Sequence, residues 1–308
     1  MDVVTIGDEG NASDSTSYGS VGYTYAMGKY EVTINQYTAF LNAVAATDTY
    51  SLYNENMATR LTIAGVSRQG SAGSYSYSVV GDGNRPILYV SWFDAARFSN
   101  WLQNGQPVGP QTVGTTEGGA YSLNGAVSGI IAKNASAEVW IPNENEWYKA
   151  AYFDPSSDEA DGNGTLDYWL YPTRSDITPG NEIGTGSNQA NYNSGIYSVT
   201  QSSSFSSSQN YLTPAGAFSL SGSYYGTFDQ GGNAWEWIDA VSGSSRVQRG
   251  SGWNYNESYL RSSARITNSP TRENADAGFR IAMVPEPAMT ASLISGMIVL
   301  LSKRRRSR

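Results

Sequence analysis

Asp229 and Glu236 stand seven residues apart across a Gly231-Gly232 turn. Two carboxylates in that pattern, with turn carbonyls exposed by the glycines, can converge on one hard cation such as Ca2+, whose oxygen ligands sit at about 2.3–2.6 Å. The competing outcome of the same spacing is a Gly-rich turn with solvated acids. If the segment is extended, Trp235 and Trp237 point opposite to Glu236 and fasten the turn to a core. Asp161-x-Asn163-x-Thr165-x-Asp167 also alternates oxygen donors. It lacks a bidentate Glu downstream, and a solvated hairpin is the expectation there.

What is missing narrows the chemistry further. The 308 residues contain no Cys and no His, which removes disulfides, thiolate nucleophiles, Ser-His-Asp triads and the usual zinc or copper ligands. Carboxylates, amides, hydroxyls, phenols, Lys and Arg remain. The net charge of −8 hides an asymmetry, because five of the 19 basic residues lie in the last six positions. Residues 1–282 carry 14 basic against 26 acidic side chains. So acidic a body argues against a nucleic-acid partner and suits divalent cations or neutral ligands. Arg249, Arg261, Arg265 and Arg280 cluster late in the chain, where ion pairs with Glu236, Asp239 or Asp276 are expected. A substrate-orienting role for Arg261 is the alternative.

Three helices are announced by one N-terminal chemistry. Thr33 precedes Gln36, Ser91 precedes Asp94 and Asn143 precedes Glu146, each by three residues, so side chain and backbone can cap one another reciprocally. The first opens the apolar stripe Tyr37, Phe40, Leu41, Val44. Strands are expected at 23–27, 87–90, 247–250 and 279–283, and a hairpin or surface insertion over the Gly/Ser/Tyr-rich stretch 65–83. Residues 198–208 hold seven Ser and read as mobile. With 39% hydrophobic residues and 33 Gly, the chain reads as one loop-rich α+β domain over residues 1–283.

Residues 284–308 read differently. Val284-Pro285-Glu286-Pro287 is followed by an uncharged run over 288–302 and then Lys303-Arg304-Arg305-Arg306. The run is shorter than the roughly 20 residues of a comfortable bilayer crossing, and the basic cluster favours the cytoplasmic side. The pattern resembles the PEP-CTERM sorting signal. That resemblance implies export, a sorting protease of the exosortase type as partner, membrane tethering through the tail, and then a cell-surface or extracellular location. It also implies an N-terminal signal peptide. Met1-Asp2-Val3-Val4 shows none, which implies either a trimmed chain or a start placed too far downstream.

In the body, ordered motifs accumulate: Gly28-Lys29-Tyr30-Glu31-Val32-Thr33, Arg85-Pro86, Val90-Ser91-Trp92-Phe93-Asp94-Ala95, Ile141-Pro142-Asn143-Glu144-Asn145-Glu146-Trp147, Tyr168 to Thr173, Gly231-Gly232-Asn233-Ala234-Trp235-Glu236-Trp237, Arg249 to Trp253, and Ala264-Arg265 ahead of Gly278-Phe279-Arg280. Together they closely resemble the formylglycine-generating enzyme (sulfatase-modifying factor) family. The resemblance implies a fold related to C-type lectins, with few short helices and strands and bound structural Ca2+. It places one calcium site on Asp229, Gly232, Ala234 and Glu236, and half of a second on Asn191 and Tyr192. It also puts a substrate cleft at Trp253, Asn254, Tyr255, Asn256, Tyr259 and Arg261, where aromatics and amides suit a sugar or peptide as well as an ordinary core edge.

Active members carry a copper-binding Cys pair between the Gly-rich motif and Ala-Arg. Here residues 254–263 hold no Cys. No copper is expected, because sulfur-based oxygen activation has no physical basis without a thiolate. The expectation is an exported, calcium-stabilised, non-catalytic domain that binds a glycan or envelope protein. The alternatives are an oxidoreductase acting on a protein cysteine through a non-standard site, and a hydrolase using Asp229 with Glu236.

Overall fold

The computed structural model describes residues 1–156, 167–184 and 186–285. Glu286 to Arg308, and all but Asp167 of the alternating-donor stretch, lie outside the described residues. The elements in chain order are β1 (Val3–Ile6), β2 (Tyr25–Gly28), α1 (Ile34–Val44), α2 (Asn56–Thr59), β3 (Val66–Gln69), β4 (Ser76–Val79), α3 (Trp92–Gln103), β5 (Val139–Trp140), α4 (Glu144–Tyr152), β6 (Phe153–Asp154), β7 (Asp167–Tyr168), β8 (Trp235–Ser242), β9 (Ser245–Arg249), β10 (Ile266–Asn268), β11 (Ala277–Phe279) and β12 (Ala282–Met283). Few and short elements joined by long loops make this an α+β fold.

All three reciprocal caps form. Gln36 N–H donates to Thr33 Oγ1 at 3.3 Å while Thr33 N–H donates to Gln36 Oε1 at 2.9 Å. Ser91 with Asp94 and Asn143 with Glu146 repeat the arrangement at the starts of α3 and α4. The apolar stripe of α1 is buried, and its Phe40 meets Phe98 and Trp101 of α3 at ring separations of 5.4 and 5.2 Å. Phe98 then touches Phe279 of β11 at 5.4 Å, joining the helices to the sheets.

Two four-stranded sheets carry the body, in the orders β1-β2-β12-β5 and β10-β9-β8-β11. The expected strand at 279–283 is in fact two. β11 runs parallel to β8, and three residues later β12 runs antiparallel to β2 and β5. The chain therefore passes from one sheet to the other through Arg280 and Ile281. No strand forms at 87–90. There the Ile87 N–H bonds the Val32 carbonyl and Trp237 Nε1 donates to the Val90 carbonyl, so the segment packs as a strap.

The hairpin expected within 65–83 is β3 paired with β4. Its turn needs Gly70, whose φ is +90° and where a Cβ would lie 2.6 Å from the Ser74 carbonyl oxygen. The Ser-rich stretch is exposed over residues 203–208 yet makes several contacts. Phe205 stacks on Tyr211 at 5.7 Å, the Ser206 N–H donates to Tyr211 Oη, and the Gln201 amide bonds two backbone carbonyls. Composition counts the serines; anchoring depends on the one aromatic among them.

Ser91→Ala should cost about 1 kcal/mol, the usual worth of a cap. Phe98→Ala, which opens a void among Phe40, Trp101 and Phe279, should cost about 3–5 kcal/mol. Urea midpoints measure both, and equal losses would contradict the placement of the core at the α1–α3–β11 junction.

Candidate functional site

The Gly231-Gly232 turn leads into β8 as an extended segment, and Trp235 and Trp237 are both buried as the alternation requires. Glu236 faces the other way, yet not toward solvent: it is 0% exposed. Its Oε2 accepts from Arg280 Nε at 2.6 Å and from Trp147 Nε1 at 2.7 Å, and its Oε1 accepts from Arg280 Nη2 at 2.6 Å. Arg280 also donates to the Gly28 and Phe228 carbonyls, both at 3.0 Å. Glu236 is thus one half of a buried bidentate ion pair.

Asp229 sits beside that pair at φ +61°, a left-handed conformation. Its Oδ2 accepts the Gly216 N–H at 2.6 Å. Withdrawal from water pushes its carboxyl up to about 6, against the pull of that hydrogen bond and of Arg280. Glu31, a motif residue to which sequence reasoning assigned no role, completes the cluster. It is 2% exposed, and neither carboxylate oxygen has a hydrogen-bond partner. Burial first, then Asp229 and Glu236, hold its pKa well above the ordinary range while Arg280 opposes. Three carboxylates therefore face one guanidinium.

Gly232, Ala234, Asn191 and Tyr192 come together beside this cluster. Asn191 bridges to Gly232, and the Asn233 N–H donates to the Asn191 carbonyl at 2.8 Å. Gly232, at φ +82°, is required there because a Cβ would sit 2.2 Å from that carbonyl oxygen. The Asn191 amide donates to the Tyr211 carbonyl at 2.9 Å and to Asn233 Oδ1 at 3.0 Å. The Gly232 carbonyl accepts the Ala234 N–H at 2.8 Å, and the Tyr192 carbonyl accepts from Asn181 at 3.2 Å. Asn233 is the second residue missed at this stage. Its Oδ1 also accepts the Thr213 N–H, which ties three loops together.

Tested against calcium, these donors divide. Glu236 is largely committed, since Arg280 and Trp147 take three of its roughly four acceptor positions and leave one on Oε1. Glu31 and Asp229 do fit on chemistry: hard oxygen donors, a surplus of negative charge, and two buried oxygens lacking any donor. Among the described residues no three acidic side chains are grouped closely enough to hold a metal ion, so carbonyls would have to complete any such site. The same placement leaves Glu236 unavailable as half of a hydrolytic carboxylate pair.

The expected cleft residues form a surface above β8. Tyr255 and Tyr259 meet Trp235 edge-on at 5.5 and 5.8 Å. Tyr255 Oη donates to Asp276 Oδ2 at 2.8 Å. Asn254, Asn256, Tyr259 and Arg261 are exposed. Arg261 lies 5.9 Å from the Tyr171 ring. Trp253 is placed otherwise: it is 5% exposed, with its indole stacked on Tyr211 at 4.9 Å and 4°. It supports the surface from beneath. Of the late arginines only Arg280 meets an expected partner, Glu236, whereas Arg249 and Arg265 both reach Glu144 and Asp239 pairs with Arg246.

The folded arrangement belongs to a known class. The crystal structure of CarF aligns with a TM-score of 0.51 at 20% identity, covering 93% of this chain and 99% of that one. PvdO from Pseudomonas aeruginosa aligns with a TM-score of 0.47 at 15% identity, covering 92% and 91%. By sequence, the formylglycine-generating enzyme of Thermomonospora curvata is 25% identical over 226 residues, 66% of this chain and 56% of that enzyme. The chain thus spans little more than half the length of that relative. Residues 9–284 match the sulfatase-modifying factor enzyme 1-like domain, and the chain belongs to that family.

Breaking the buried pair has a defined cost. Glu236→Gln should lose about 3–5 kcal/mol by leaving Arg280 charged and unpaired, and replacing both partners with Leu and Met should recover part of it. Glu31 acts with the opposite sign. Its raised folded-state pKa means that folding retains a proton the unfolded chain releases. In chelator, stability should therefore fall as pH rises from the ordinary value of 4.5 toward the raised one. Glu31→Gln should flatten that slope and be the more stable protein at neutral pH. A slope unchanged in the variant would remove Glu31 as its source.

Proposed function

We propose that this chain is a non-catalytic, ligand-presenting member of the sulfatase-modifying factor family that acts outside the cytoplasm. The observation that carries the reading is chemical. Residues 254–263, where active relatives hold their copper-binding thiolates, contain no Cys, and the whole chain contains neither Cys nor His. What that segment offers instead is Asn254, Asn256, Tyr259 and Arg261 exposed above a rigid Trp235–Tyr255 base. Amides, a phenol and a guanidinium over packed aromatics suit a glycan or a protein segment of the envelope.

Calcium enters the proposal as a stabiliser held by Glu31 and Asp229 rather than by Glu236. The acidic body and the unpartnered Glu31 oxygens support it. The C-terminal pattern supports export, cutting by an exosortase-type protease and residence at the cell surface or beyond.

Secreted polysaccharide and envelope proteins from the producing cell, titrated against the purified body, should reveal a ligand whose affinity drops about tenfold or more in Tyr259→Ala or Arg261→Ala, roughly the loss of one good contact. A Cys-containing peptide incubated with copper should keep its thiol mass. Conversion to the aldehyde would overturn the reading. For calcium, chelator should lower Tm and added Ca2+ restore it, with Glu31→Gln blind to both. A Tm indifferent to chelator in the wild-type chain would remove the ion from the account.

A further inference from the structure

A second cavity lies away from the Tyr255–Arg261 surface, between the start of α3 and the loops carrying Thr49–Ser51 and Thr271–Glu273. Its volume is about 370 Å³, within the roughly 300–1,000 Å³ typical of small-molecule sites. The floor is charged and buried: Asp94 is 2% exposed and Arg97 0%. The rim is hydroxylated by Thr49, Ser51 and Thr271, all exposed, and Phe93 and Tyr50 supply apolar walls.

The floor is built and incompletely satisfied. Arg97 is held by Glu117 in a bidentate pair, Nε to Oε1 at 2.7 Å and Nη2 to Oε2 at 2.9 Å, and Tyr50 lies over it at 4.2 Å. Its third nitrogen, Nη1, is buried with no acceptor. Asp94 accepts Ser91 N–H and Oγ–H on Oδ2 alone, at 2.8 and 2.7 Å. Glu273 accepts from the Asn54 amide on Oε2. Because Glu117 already balances Arg97, the carboxylates of Asp94 and Glu273 have no cation of their own. Burial, and next Glu273, pushes the Asp94 carboxyl up to about 7, and burial raises Glu273 as well. The loop walling the cavity is fixed by Asp48, which accepts the Leu52 and Tyr53 N–H groups and pairs with Arg68.

We propose that this cavity binds one amino-sugar unit, with its ammonium between Asp94 and Glu273. The two unmatched carboxylates select the positive charge, and Asp94 offers it an Oδ1 that the Ser91 hydrogen bonds leave unused. A hydroxylated ring fits the rim of Thr49, Ser51 and Thr271, and its apolar face fits Phe93 and Tyr50. Neither group is used by the surface at Tyr255–Arg261, so the two sites stand or fall separately.

The test is calorimetric titration of the whole chain with D-glucosamine, D-glucose, N-acetylglucosamine and glycinamide. Saturable binding of glucosamine, with glucose and N-acetylglucosamine at least about tenfold weaker, is the expected result, since each lacks the charge that the carboxylates select. Glu273→Gln keeps the acceptor for Asn54 and should weaken glucosamine about tenfold or more at unchanged Tm, whereas Tyr259→Ala should not alter it. Absence of saturable glucosamine binding overturns the proposal. So does glucose binding as well as glucosamine, glycinamide matching it (which would make the site a reader of peptide amino termini), or indifference to Glu273→Gln. Discrimination among the ligands by the wild-type chain decides the matter even if the variant folds poorly.

Discussion

Arg280 occupies the step at which the chain leaves one sheet and enters the other, and Glu236 meets it there without any contact with water. The pair is bidentate, with Trp147 adding a third donor to the carboxylate. Removing two ions from water costs several kcal/mol each, which only such complete geometry offsets. The Gly28 and Phe228 carbonyls take two more of the guanidinium's five N–H protons, so one side chain ties β2, β8, the loop before the Gly-Gly turn and the β11–β12 crossing. Strands this short carry few ladder bonds of their own. A shared charged centre gives them a fixed relative position.

The same centre sets the electrostatics of the expected metal region. Arg280 neutralises one carboxylate of three, and what remains falls on Glu31 and Asp229. Glu31 has no hydrogen-bond donor, so in the fold it must hold a proton or face a cation. Either way the cluster joins the protein's stability to pH or to ion supply. It also explains why a motif that reads as a metal loop can sit beside a guanidinium without conflict.

Tyr255 and Tyr259 of the candidate surface pack on Trp235, and Trp253, just before them in the chain, stacks on Tyr211. Over that platform the chain carries amides, phenols and a guanidinium, and residues 254–263 hold no Cys. The charged floor of the Asp94–Glu273 cavity comes from the start of α3 and a loop rather than from that platform.

Local chemistry was legible in the order of residues. The three reciprocal caps, the α1 stripe and the hairpin or insertion within 65–83 each depend on neighbours within a few positions and followed from the sequence alone, as did the absence of Cys and His. Pairings across the chain followed only in part. Arg280 does meet Glu236, one of its expected partners, over 44 positions, but Glu144 rather than Asp276 meets Arg249 and Arg265, and Trp253 stacks on Tyr211 instead of facing a ligand. Glu31 shows the limit most clearly, since nothing in its own motif tells that it is buried beside Asp229, Glu236 and Arg280. Charge partner, burial and access are properties of the space around a side chain, and only the packing of distant segments defines that space.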